Sequence, residues 1–325
     1  MGKKKLENVH LGMTWTSYAA AAYGVLRGAG WYTDELWKFM GDTGAAFHFF
    51  VHRSACPSSV TVYDWGRAHV GMLDRIGVAT EHVWIENHLT LQTAALFRDG
   101  AVARIRRAID DGFGVVVWAP TPLLEFGLIN GYDDADGVFL VEACGGETPA
   151  DPLLYANLGV SEVPCLCYQI PTGRLAVAPD QTIASALQYG LDLWHAPFHI
   201  HPDYGCGRKA YENLLGMFRT GEVNPFGIGY LLAVYHDARV QLAKYFEHVN
   251  THSGFAGKLS LAVAHFTKAA DLFGQMTSLV PFDMAGNSWD AAHLPQLALY
   301  TEEAFALEDG AYAEIARVLG QQPHH

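Results

Sequence analysis

The sequence predicts an α+β domain followed by an all-helical domain, and three observations support that division. Residues 125–142 read as two apolar runs, Phe126 to Tyr132 and Val138 to Val141, joined by Asp133, Asp134, Asp136 and Gly137. Turn-forming residues between two short apolar runs specify a β-hairpin. Residues 14–30 hold the alanine run Ala19 to Ala22 and read as a buried helix that neighbouring elements approach closely. Beyond about residue 180 the apolar residues take helical spacing instead, as in Leu231, Tyr235, Ala238, Leu242, Tyr245 and Val249.

Each element has its own local reason. Thr14, Thr16 or Ser17 can cap the start of the first helix, and Gly28 and Gly30 can end it. An aromatic-rich unit follows over residues 34–52, then a Pro-Ser-Ser loop at 57–59 and an amphipathic helix from about Asp64 to Ile76. A helix near Ala101 to Asp111 ends at Gly112 and feeds the apolar strand Val115 to Trp118. After the hairpin comes a further strand, Cys165 to Ile170. In the second half, helices are expected over Thr182–His195, Gly207–Arg219, Ile228–Val249, Ala262–Val280 and Gln296–Leu319. The expected division is an α+β domain over residues 1–180 and a helical domain over 181–325.

Composition narrows the function classes. Half of the residues are hydrophobic, so a sizeable core is available and global disorder is excluded. A formal net charge of −13 argues against a nucleic-acid groove, which needs clustered Lys and Arg to replace counterions. It suits a neutral or cationic small molecule. No apolar run approaches the roughly 20 residues of a membrane helix, so no membrane partner is expected. The basic opening residues lack a following apolar stretch of secretory type, and Leu6 stands where a myristoylation signal wants Ser or Thr. A cytoplasmic location is therefore expected. Five cysteines, an odd and sparse set, fit reduced thiols. A homodimer is compatible with the sequence, and no cofactor is expected, since Cys144-Gly-Gly-Glu147 has neither the spacing nor the Lys of a nucleotide cradle.

A helix, a helical stretch and then a hairpin whose first strand ends Gly131-Tyr132-Asp133 resemble the papain-like fold of the bacteriocin-leader peptidases. Still closer is the resemblance to the butirosin-biosynthesis acyltransferase family, which adds a helical C-terminal region. The family nucleophile is a Cys that begins the central helix, and counting back from Leu26 and Gly30 lands on Ser17. The family His falls on Glu125, and the Asp or Asn that completes the set falls on Glu142. Ala238 and Arg239, with the stretch to Glu247, resemble the family's Arg-containing helix, and Lys258 to Phe282 its next helix. The resemblance implies a papain-like cysteine-peptidase fold for the first domain, with an acyl- or amide-bond chemistry whose Cys–His pair is replaced.

The replacements change the chemistry. A helix terminus and a nearby imidazolium can generate a thiolate, whereas a Ser hydroxyl needs a positioned base. Glu125 is the candidate base or acid, Glu142 its expected support, and Ser17 with Thr16 the hydrogen-bonding groups, with Ser17 also a weak nucleophile. The competing reading of Ser17 is a plain helix cap, and that of Glu125 an ion pair or a rim position. If Glu125 and Glu142 share one cleft, their proton affinities separate as in acid/base pairs, or the pair holds a ligand ammonium. Trp15 and Trp118, expected to wall that pocket, offer aromatic faces to a cation, and Asn130 is expected to contact the ligand. Two functions follow: an acyltransferase or amidohydrolase of small-molecule secondary metabolism, or a catalytically inactive module that binds a cationic amine.

Histidine placement raises a metal reading that the sequence supports weakly. His199 and His201 would share one face of an extended segment, with Asp203 as a further oxygen donor, yet no third or fourth ligand lies near. His48 and His52 would align only on a helix. Cys165 and Cys167 point to one face of a strand, where burial is the simpler explanation, and Cys56 sits in a loop before Pro57.

Overall fold

The computed structural model describes residues 2–145, 150–196, 200–252, 254–284 and 290–321. Among them the strands are β1 (Lys3–Lys5), β2 (Phe50–His52), β3 (Val78–Glu86), β4 (Val115–Trp118), β5 (Phe126–Asp133), β6 (Val138–Ala143), β7 (Leu153–Leu154), β8 (Cys165–Arg174) and β9 (Tyr204–Cys206). The helices are α1 (Ser17–Gly28), α2 (Leu36–Thr43), α3 (Trp65–Arg75), α4 (Ala94–Asp110), α5 (Pro179–His195), α6 (Arg208–Thr220), α7 (Pro225–Thr251), α8 (Ser260–Leu279) and α9 (Leu294–Val318). The chain is thus mixed α+β with a helical C-terminal region. It forms two compact units, Met1–Phe39 with Trp65–Ala176, and Met40–Asp64 with Val177–His325.

The second unit takes residues 40–64 from the N-terminal half in addition to the helical region. The reason is pairing: β2 joins β9 in an antiparallel ladder from Phe50↔Cys206 to His52↔Tyr204. Close approach reinforces it, since a Cβ on Gly41 would sit 2.1 Å from the Tyr245 ring and one on Gly227 1.7 Å from the Ala55 carbonyl oxygen. His48 and His52 do not share a helix. His48 follows a 3₁₀ turn and contacts the Tyr189 hydroxyl at 2.7 Å, whereas His52 lies in β2.

In the first unit a seven-stranded antiparallel sheet runs in the order β3-β8-β4-β5-β6-β7, with β1 added beside β5. The expected 126–132 and 138–141 hairpin is present as β5 and β6, and the strand at 115–118 as β4. Strand β5 is buried along its whole length because both faces are covered. On β3, the adjacent residues Glu81 and His82 show the two faces. Glu81 receives Arg104 of α4 at 2.7 Å, while the His82 ring lies 5.5 Å from that of His69 on α3. Successive strand residues point to opposite faces, so α4 covers one face and α3 the other. Helix α1 joins α3 there, with the Tyr18 ring stacked on His69 at 3.6 Å.

The helical unit is organised by a buried ion pair. Arg239 of α7 donates from Nε and Nη2 to the two carboxylate oxygens of Glu308 of α9, at 2.8 and 3.0 Å. Both side chains are almost fully buried. The guanidinium carbon lies 4.1 Å from the Phe49 ring centre and 4.8 Å from that of Phe273, so aromatic faces replace part of the lost hydration. The carboxylate holds Arg239 firmly in its charged form. Removing one partner strands a buried charge, which typically costs about 3–5 kcal/mol. Glu308→Gln should lower stability by about that amount in urea melts followed by circular dichroism. Arg239→Met combined with Glu308→Leu should recover much of the loss, because no charge is then left unpaired.

Candidate functional site

Ser17 and Glu125 meet. Ser17 is the first residue of α1, one position inside the N-cap Thr16, whose own side chain makes no cap bond. The Ser17 hydroxyl donates to Glu125 Oε2 at 2.5 Å and accepts from the Phe126 N–H at 3.2 Å. A hydroxyl–carboxylate distance this short marks a charge-assisted hydrogen bond. The N-terminal end of α1 adds about half a positive charge, which favours an anionic carboxylate nearby. Ser17 is thus not a simple cap: its hydroxyl is committed to a residue 108 positions away.

Glu125 owes its place to the loop between β4 and β5. Trp118 pairs with Phe126, and the Ala119 N–H donates to the Glu125 carbonyl at 2.9 Å, closing the loop. Ala119 has φ +45°, a conformation L-residues seldom adopt outside sites where surrounding structure enforces it. Cys144 lies near enough for the Glu125 charge to act on it, and burial with that charge pushes its thiol up to about 12.

An aromatic wall stands behind the pair. The Phe126 ring centre is 4.9 Å from that of Trp118, 4.9 Å from Trp65 and 4.9 Å from His69. Trp65 and Trp118 approach to 4.7 Å. Tyr18, next to Ser17, donates to Gln169 Oε1 at 2.8 Å, which ties the start of α1 to the middle of the sheet. Trp118 is buried as part of this wall rather than presenting an open face, whereas Trp15 is 44% exposed ahead of the helix.

Glu142 has a different set of partners from the expected ones. It faces Leu128 across the hairpin, three residues along β5 from Glu125, a separation of about 10 Å. Its Oε1 contacts His10 Nδ1 at 2.9 Å and receives Asn130 Nδ2 at 3.0 Å, and its Oε2 accepts the Leu11 N–H at 2.8 Å. Asn130 is the extra residue of a bulge in β5 and is buried, with its amide also donating to the Val9 carbonyl at 3.1 Å. Glu142 and Asn130 therefore clamp residues 6–12, and Asn130 has no amide hydrogen left for a ligand. The clamped segment leads directly into Thr14, Trp15 and Thr16, so it positions the approach to Ser17. Nothing in the sequence marks His10 for this role, because its partner lies 132 residues away.

His199 lies outside the described residues. His201 Nδ1 sits 3.7 Å from Asp203 Oδ2 and accepts the Asp203 N–H, and no group of three or more metal-ligating side chains occurs among the described residues. Cys165 and Cys167 are buried on β8, and burial drives the Cys167 thiol up.

Compared with known proteins, the chain matches no family model and no curated protein. The functional reading therefore rests on the site itself.

The bond to Glu142 raises His10 above its ordinary value, since a carboxylate stabilises the imidazolium. Its stabilising contribution is full below the unfolded histidine value of about 6.5 and is lost as pH rises through the higher folded value. Titration of the His10 ring protons by NMR should show a midpoint above 6.5, and Glu142→Gln should bring it back down. An unchanged His10 midpoint in that variant would remove Glu142 from the clamp.

Proposed function

We propose that the first unit is a papain-like domain whose Cys–His pair has been replaced by Ser17 and Glu125, and that it acts at an acyl or amide bond of an amine-bearing small molecule. The observation that supports this is the 2.5 Å Ser17–Glu125 hydrogen bond at the N-terminus of α1. It joins a hydroxyl at a helix start to a base within proton-transfer reach.

In this reading Glu125 takes the Ser17 proton as Oγ attacks the carbonyl carbon. The C–N bond then breaks, and Glu125 passes the proton to the departing amine, leaving an acyl ester on Ser17. Water or a second amine attacks that ester and gives its proton to Glu125, which returns it to Ser17 as the ester bond breaks. A carboxylate is a weaker base towards Ser than imidazole, so slow turnover is expected. Burial of the aromatic wall keeps the dielectric low around the developing charge, which strengthens each electrostatic contact.

One observation favours the second reading, a catalytically inactive module that holds a cationic amine on Glu125. The Phe126 N–H donates into Ser17 Oγ, which draws electron density from the would-be nucleophile. Acetylation by p-nitrophenyl acetate, followed by intact mass spectrometry, separates the two. The enzyme reading expects an acetyl adduct on Ser17 that Ser17→Ala abolishes and Glu125→Gln slows by about 10²- to 10⁴-fold. Saturable butylamine binding without any adduct would instead support the binding module.

A further inference from the structure

His88 is buried with no hydrogen bond on its ring. The residue is 1% exposed, and neither Nδ1 nor Nε2 has a partner among the described residues. Buried polar groups are nearly always satisfied, so a ring orphaned at both nitrogens needs an explanation. A leucine would fill such a place at less cost, since it strands no polar atom. What the histidine adds is the capacity to take up a proton.

Its place in the fold gives that capacity a consequence. His88 opens a 3₁₀ turn between β3 and α4, and it is the one buried residue from Glu86 to Thr93. The ring lies on the backbone of Gly159, where an added Cβ would come 2.7 Å from its Cε1 atom. The Asn87 N–H adds one backbone bond across the same gap, to the Pro164 carbonyl at 2.8 Å. The charge that acts on the ring is Arg98 of α4, which opposes protonation, while Gly159 and Leu166 beneath it bring none. Glu86 and Asp99 are exposed, and Asp99 pairs with Arg98 at 3.6 Å. Burial, with that guanidinium, holds the ring below the ordinary histidine value.

We propose that His88 is an acid-released pin: when its ring takes up a proton, the 86–93 connection lifts off Gly159 and frees the first turns of α4. An imidazolium in this place has a guanidinium and no carboxylate acting on it, so it leaves the interior for water. The opened segment binds the proton more readily than the closed one. The closed form is therefore fully favoured above about pH 6.5 and loses ground as pH falls below that value. Opening bares the floor under His88 beside four large apolar side chains that are already exposed, Leu89, Leu91, Leu96 and Phe97.

Hydrogen–deuterium exchange of the full chain at pH 7.5 and pH 5.0, corrected for the intrinsic pH dependence of amide exchange, tests this. Peptides covering 86–100 and 155–164 should exchange about tenfold faster at pH 5.0, as a difference of about one pH unit between the closed and open forms would give. Peptides from β5 and α7 should not change. His88→Leu and His88→Met, which have no proton to take up there, should keep their pH 7.5 rates at pH 5.0. Should neither variant fold, the wild-type profile decides. Exchange of the two peptides must then begin to rise near pH 6.5, and by no more than about tenfold per pH unit, as a single proton dictates. Unchanged wild-type rates, or a pH response that survives in either variant, would overturn the pin.

Discussion

Helix α1 approaches β5 closely where its side chains are smallest. Ala19 to Ala22 are all but fully buried, and a Cβ on Gly24 would lie 2.0 Å from the His10 carbonyl oxygen and 3.0 Å from Leu128. That contact sets the height of the helix above β5, and so the distance between its first residue and the start of the strand. Ser17 Oγ, at the start of that helix, reaches both Glu125 and the Phe126 N–H. A bulkier helix would be held off by its own side chains, and a hydrogen bond of 2.5 Å does not survive a shift of an ångström.

Two acidic residues of one hairpin have been given unlike tasks by this packing. Glu125, at the mouth of the β4–β5 loop, faces the helix terminus. Glu142, further along the partner strand, gathers a backbone N–H, an imidazole and an amide, and in doing so fastens the chain that precedes Ser17. One carboxylate engages the Ser17 hydroxyl, and the other fixes the segment that precedes it. The bulge at Asn130 is what lets a single side chain serve both Glu142 and the Val9 carbonyl, since an inserted residue re-aims its side chain without breaking the strand.

The fold was largely legible in the chain. The 115–118 strand, the 126–132 and 138–141 hairpin and the five C-terminal helices all appear close to their expected limits, because each carries a strong local period and clear terminators. Strand β3 was not legible: Val78–Glu86 mixes His, Glu and Thr with apolar residues, and becomes a strand by pairing along the length of β8. Residues 40–64 were misplaced for the same reason. Their membership of the second unit comes from a three-residue ladder with β9 and from glycine contacts with α7, neither of which leaves a periodic trace.

What the sequence determined alone was the class of most long elements, because helical and strand periods are local. Ser17 and Glu125 were singled out by the resemblance to papain-like enzymes and not by any period. Tertiary structure decided which carboxylate meets Ser17 and which serves the clamp. Those outcomes depend on distances of a few ångströms between residues more than a hundred positions apart, and no pattern along the chain encodes them.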